Sequence, residues 1–343
     1  MKKMIAYVSI IAVGVFVGGF IFFNSLRVTS NKQTQENLAQ AKKIYDAIPI
    51  WHKKIQTQQD LKIGIITDTH VHPTRVNRTD KRDDAPRQLK NKDVTPIRNF
   101  VADMRVFQPE FTVHLGDVIE GTGDEDFVGM KGLELVKEEI EKTTFPAYWV
   151  IGNHDLRSVT REQFKKSLNL ESINQSFDAG DYRFIILDAN YNKHDLPRSP
   201  KGNSYIRGNI PQQQIEWFKK QLETNKRVFV FMHHGVFQND TPGDLKDDGE
   251  ARMKQSIKNA DDLQDIFKEY RVDGLFNGHM EARRYEKISN TNIYSMTGTK
   301  KSQLYPRSYY ELSIIDGNPD VTMYYTPVGS TKIKKIDFEN GEK

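Results

Sequence analysis

The 343-residue chain contains no cysteine. That removes disulfides, thiolate metal sites, a cysteine nucleophile and a lipidated cysteine together. It fits an extracytoplasmic setting without requiring one. Any bound metal has to use His, Asp, Glu or Asn. A large net charge is missing as well: 50 basic against 46 acidic residues leave +4. The overall balance therefore gives no argument for nucleic acid as a partner. No internal repeat or low-complexity block is visible.

Long apolar runs are absent too, with one exception. Residues 4–23, MIAYVSIIAVGVFVGGFIFF, are uncharged and follow Lys2 and Lys3. A bilayer core asks ~20 residues of a helix. The run exceeds the ~7–15 residues of a secretory signal core, and the following NSLRVTS offers no small-x-small cleavage site. The expected layout is a short basic head (1–3), an uncleaved transmembrane helix (4–23) and a polar, Gln- and Lys-rich stalk or linker (24–60). The basic head orients the amino terminus inward, making a single-pass cell-membrane protein with an extracytoplasmic globular part. Gly14 and Gly18 stand at GxxxG spacing, the one hint of a homodimer. Leu38, Ala41, Tyr45 and Ile48 recur at helical spacing within the stalk.

From Leu61 onward the pattern becomes α/β. LKIGIIT, FTVHLG, AYWVIG, YRFIILD, RVFVFMH and DGLFNGH read as strands, most of them buried on both faces. Helical patterns cover 96–107, 127–142, 211–224 and 260–270, with Pro96 and Pro211 where a helix would begin. TNIYSMTG, SYYELSIID and VTMYYT follow without helices between them, which predicts an antiparallel part. Central sheets flanked by helices result.

Polar residues then cluster behind those strands: Asp68-Thr69-His70, Gly116-Asp117-Val118-Ile119-Glu120, Gly152-Asn153-His154-Asp155, His233-His234-Gly235 and Gly278-His279-Met280-Glu281. Singly, each reads as a turn or a cap. Together they matter, because loops at the carboxyl ends of α/β strands converge on one crevice. Five of the nine histidines lie in them, where packing does not call for them. A mixture of carboxylate, imidazole and amide ligands suits a pair of cations that clamp phosphoryl oxygens and lower the pKa of a water. Neighbouring glycines let backbone and substrate approach closely.

The ordered series DTH, GDVIE, GNHD, MHHG and GHME, spread over residues 61–326, resembles the calcineurin-like metallophosphoesterase superfamily. Its pattern runs DxH, GDxx[DE], GNH[DE], a His after a strand, then GHxH. The segment GNIPQQQIEWFKKQL is similar to the branch that holds cyclic-nucleotide and glycerophospho-diesterases and purple acid phosphatase-like enzymes. The resemblance implies a four-layer α/β/β/α sandwich of two mixed sheets over 61–328, with a polar tail at 329–343. It implies a phosphate-ester substrate, monoester or diester, and two divalent or trivalent metal ions. Asp68 and His70 would bind the first and Asp117 would bridge. Asn153, His233 and His279 would complete the second. His154 would face the phosphate beside Asn153, with Asp155 orienting it. A metal-bridging hydroxide would attack in line, with no covalent enzyme intermediate. His72 and His234 match no ligand position.

One position departs from the pattern. Where the family has the last His of GHxH, this chain has Glu281. Direct ligation, ligation through a water, and a weak first site with Glu281 paired to Arg283 or Arg284 all stand open. A carboxylate-rich first site favours manganese or iron, with zinc compatible. The competing function is a membrane-anchored binding or scaffold protein with an impaired first metal site. The long segment between His72 and Pro96 offers Arg75 as a substrate contact, and 238–250 offers a second rim loop.

Overall fold

In the computed structural model the LKIGIIT run forms β1 (Leu61–Ile66), and α1 (Asn91–Phe107) carries the chain back to β2 (Phe111–His114). A second crossover, α2 (Asp126–Ile140), leads to β3 (Ala147–Trp149) and then α3 (Arg161–Leu168). β4 (Gln175–Ala179) and β5 (Tyr182–Leu187) form a hairpin. They are followed by α4 (Gln212–Leu222), β6 (Arg227–Met232), α5 (Ala260–Glu269) and β7 (Gly274–Asn277). β8 (Arg284–Ile288), β9 (Thr291–Ser295), β10 (Tyr309–Ile315), β11 (Asn318–Tyr325) and β12 (Lys334–Asp337) complete the chain. The structure describes residues 59–72, 91–121, 126–192, 194, 207–237, 256–299 and 305–340, with isolated positions between 39 and 47. The apolar run 4–23, most of the stalk, Arg75 and the rim loop 238–250 lie outside the described residues. Among the described residues no helix is long and apolar enough to cross a membrane.

The strands build two six-stranded mixed sheets, ordered β12-β11-β10-β1-β2-β3 and β4-β5-β6-β7-β9-β8. Successive side chains on a strand point to opposite faces, and this alternation separates the layers. Phe184, Ile186, Phe229 and Phe231 join Ile63, Ile65, Val113 and Leu312 between the sheets. Ile185, Leu187, Val228 and Val230 turn the other way, onto Ile215 and Phe218 of α4 and Leu263 and Phe267 of α5. On the far side Ile66 and Trp149 meet Ile97 and Phe100 of α1, Leu133 of α2 and Phe164 of α3. Two sheets thus face each other and each is backed by helices, as the resemblance implied. Each fully buried Phe contributes ~1.5–3 kcal/mol relative to exposure, so the aromatic wall between the sheets holds together the two halves that carry the site.

Several boundaries differ from expectation. α1 starts at Asn91, and Pro96 lies inside it rather than at its start. α3 was not expected, although Thr160 and Gln163 form a reciprocal capping box at its amino end. The segment 329–343 was expected as a polar tail, yet β12 pairs antiparallel with β11, and Ile336 and Phe338 are buried between the sheets. Lys334 and Lys335 mask that strand in the sequence, since charge on an edge strand blocks pairing with other chains. The domain therefore continues past 328.

β1, β2 and β3 run parallel, as do β5, β6, β7 and β9. Their carboxyl ends lead into the motif loops. There the ordering of the sheets becomes chemistry.

Candidate metal centre

Backbone strain marks the site first. Asp68 (φ 49), His70 (φ 42), Asp117 (φ 51), His279 (φ 63) and Glu281 (φ 48) all adopt left-handed backbone without being glycine. Such conformations cost ~1–3 kcal/mol each and persist only where surroundings impose them. Hydrogen bonds between loops impose them here: Asp68 N donates to Gly116 O and His70 N to Asp117 O, both at 3.0 Å. Gly152 permits a close approach of the GNHD loop to Asp117. A Cβ there would lie 2.1 Å from Asp117 N and 2.2 Å from its Oδ1.

Asp117 stands in the middle. Its Oδ2 lies 3.7 Å from His70 Nε2 and 3.2 Å from His233 Nε2. On one side, Asp68 Oδ1 and Glu281 Oε1 lie 3.7 Å and 3.3 Å from His70 Nε2. On the other, Asn153 Oδ1 lies 3.1 Å from His233 Nε2. Ligand atoms of Asp117, His233 and His279 lie within 4.8 Å of one another, as do those of Asp68, His70 and Asp117. The supporting bonds aim these groups. Asp68 accepts from Thr67 Oγ1 at 2.6 Å and from His279 N, and His233 Nδ1 meets Leu115 O at 2.8 Å, which leaves Nε2 to the centre. All seven expected ligand positions are brought together. Glu281, the departure from the pattern, turns its Oε1 toward His70 with them.

The electrostatics fit cations. Asp68 and Asp117 are almost wholly buried. Burial opposes ionisation of Asp117, yet the charges of His233 and His154 outweigh it and hold the carboxyl well below the usual range. Burial likewise opposes protonation of His70, but hydrogen bonds to Asp68, Glu120 and Glu281 push it well above its ordinary value. His233 follows, raised to about 9 against its own burial by Asp117. The raised pKa values of both imidazoles reflect the negative charge that the buried carboxylates gather at the centre. A hard oxygen-and-nitrogen donor set of this kind accepts divalent or trivalent ions.

Sequence reasoning missed Glu120. Its carboxylate spans two rings, with Oε2 at 3.1 Å from His70 Nδ1 and Oε1 at 3.3 Å from His154 Nδ1. Burial would raise the Glu120 pKa, but hydrogen bonds to His154 and His70 hold it far below the carboxylate range. The signal was available: GDVIE places an acid three residues after Asp117. Asp155, expected to orient His154, does something else. Its Oδ1 accepts from Ile119 N and its Oδ2 from Gly152 N, so it braces the two ligand loops against each other. Burial, reinforced by the charge of Asp117, raises its pKa to about 7. The contact at His154 Nδ1 belongs to Glu120, through its backbone oxygen at 3.0 Å as well as its carboxylate.

His114 was also missed, hidden in FTVHLG as a strand residue. It is fully buried and stacks on Trp149. Its Nδ1 accepts from Gly116 N at 3.2 Å, so its Nε2 carries the proton toward Thr69 Oγ1 at 3.0 Å. Thr69 Oγ1 in turn donates to Val118 O at 2.8 Å. One neutral imidazole thereby ties the DTH loop to the GD turn. His234 is buried with its ring 4.3 Å from that of His279, behind the centre. His72 is half-buried and outside the clusters of candidate ligands.

A dimetal phosphatase from Danio rerio shares the fold, with a TM-score of 0.57 at 15% identity over 81% of this chain and 99% of that one. A purple acid phosphatase from yellow lupin (Lupinus luteus) seeds aligns at a TM-score of 0.46 and 13% identity over 83% of this chain and 55% of that one. No curated protein sequence matches the chain. A sequence model described as "Calcineurin-like phosphoesterase" matches residues 61–280, from β1 to the turn that carries His279. The chain belongs to the calcineurin-like phosphoesterase family and is a phosphoric ester hydrolase.

Proposed function

We propose that the protein hydrolyses a phosphomonoester or phosphodiester at a dinuclear centre, and that residues 4–23 hold it in a membrane. Asp68, His70, Asp117 and Glu281 would hold one ion, and Asp117, Asn153, His233 and His279 the other. The observation that carries this reading is the position of Asp117, one carboxylate oxygen between His70 Nε2 and His233 Nε2 at 3.7 and 3.2 Å. Bound there, two cations supply a water that is nucleophilic at neutral pH and neutralise phosphoryl oxygens; the first site, with three carboxylates, favours manganese or iron.

The chain's own groups do the rest. Glu120 fixes the His154 ring, whose Nε2 lies 4.0 Å from Asp117 Oδ2 and so faces the centre. A protonated His154 at that place donates to a phosphoryl oxygen or to the leaving oxygen. His154 N also donates to Asp117 Oδ1 at 2.6 Å, locking the acid and the bridging carboxylate in one frame. The anchor rests on the uncharged apolar run 4–23, of bilayer length, behind a basic head.

The test is turnover of p-nitrophenyl phosphate and bis-p-nitrophenyl phosphate with added manganese. The native protein is expected to cleave at least one, and Asp117→Ala and Asn153→Ala to cleave neither. Turnover that survives both substitutions, or none across manganese, iron and zinc, refutes the assignment.

A further inference from the structure

The loop that carries Asn153 and His154 continues into a 3-10 turn, Asp155–Arg157. Arg157 Nη1 lies 3.6 Å from Glu120 Oε1, and the same oxygen lies 3.3 Å from His154 Nδ1. The guanidinium is thus one carboxylate away from the ring that faces the metal centre. Its place is set by the backbone. A Cβ on Gly121 (φ +59) would lie 1.9 Å from His154 O and 2.8 Å from Arg157 Cβ, so only glycine lets the two loops close on each other.

Exposure divides the site into floor and rim. Asp68, His70, Asp117 and His233 are buried, whereas Arg157 keeps 29% of its side chain open to solvent. The rim beside it is acidic, formed by the partly exposed Glu120 and Glu281. Two rim carboxylates repel an incoming polyanion. Arg157 brings a cationic side chain into an ion pair with this cluster.

We propose that Arg157 is a specificity-determining residue that binds a second anionic group of the substrate, beside the phosphoryl group under attack. The preferred substrates are then phosphoesters that carry two neighbouring anionic groups, as a diphosphate does. A guanidinium meets paired phosphate oxygens with two parallel N–H bonds, which an ammonium cannot reproduce. This rests on the phosphoesterase reading above and adds the substrate class to it.

The experiment measures binding rather than turnover. Full-length protein loaded with manganese and freed of excess metal is titrated calorimetrically with methylenediphosphonate and with methylphosphonate. The native protein is expected to favour the diphosphonate, and Arg157→Ala to shrink that ratio by at least about tenfold, the scale of a charged hydrogen-bonded contact. Arg157→Lys, keeping charge without the fork, is expected between the two. An unchanged ratio in Arg157→Ala overturns the proposal. So does loss of both probes in both variants, which identifies a structural arginine. A native protein that binds both probes equally sinks this role alone, while one that binds neither takes the metal-centre reading down with it.

Discussion

Replacing His114 by phenylalanine tests how the GD turn is held. Burial pushes the His114 pKa from its ordinary 6.5 down to about 3. The unfolded chain therefore takes up a proton below pH 6.5 that the folded protein refuses until about pH 3. The unfolded state binds more protons throughout that window, so stability falls as pH drops through it. At pH 5.5, one unit below the unfolded value, this group alone lowers native stability by about 1 kcal/mol relative to pH 7.5. His114→Phe keeps a ring against Trp149 but strips the acceptor from Gly116 N and the donor from Thr69 Oγ1. Leaving such a buried donor unmet costs ~1–3 kcal/mol. Groups common to both proteins cancel in the difference, and the variant lacks the linkage. The cost of the substitution is therefore expected to shrink by about 1 kcal/mol between pH 7.5 and 5.5. Urea unfolding at the two pH values, followed by tryptophan fluorescence, measures it, provided m is unchanged. A cost that is equal at both pH values, or larger at 5.5, refutes the neutral buried imidazole.

Two further outcomes follow from the same geometry. Phe338→Ala, in the segment whose polarity conceals β12, is expected to destabilise the domain by ~3–5 kcal/mol because it empties a position between the sheets; a melting temperature within a degree of native would place the domain boundary back near 328. Glu281→His replaces a carboxylate 3.3 Å from His70 Nε2 by a softer donor. Dialysis against equal manganese and zinc, then metal analysis, is expected to show a shift toward zinc; an unchanged ratio would remove Glu281 from the ligand set.

Much of this centre is legible in the sequence. Each motif ends a buried strand, and buried strands announce themselves by continuous apolar residues. Asp68, Asp117, Asn153, His233 and His279 are thus found by their place behind β1, β2, β3, β6 and β7. The helices over α2, α4 and α5 follow from apolar spacing, while α3 hides because only Phe164, Ser167 and Leu168 of its eight residues are buried. β12 hides because its exposed lysines outweigh one buried isoleucine in so short a strand.

What the sequence alone determined was the donor set and its order: which residue types stand at which strand ends, and that one His of the pattern is a Glu. Those are local properties, written in four or five consecutive residues. What only the tertiary structure decided was who meets whom across the two sheets. Asp155 braces Ile119 and Gly152 rather than His154, Glu120 spans His70 and His154, and Glu281 turns back to His70, over two hundred positions away. A carboxylate has acceptor sites on both oxygens and no preference among donors until loops from separate strands are brought within ~3 Å. Neighbours in the chain could not settle that choice. The convergence of the two sheets did.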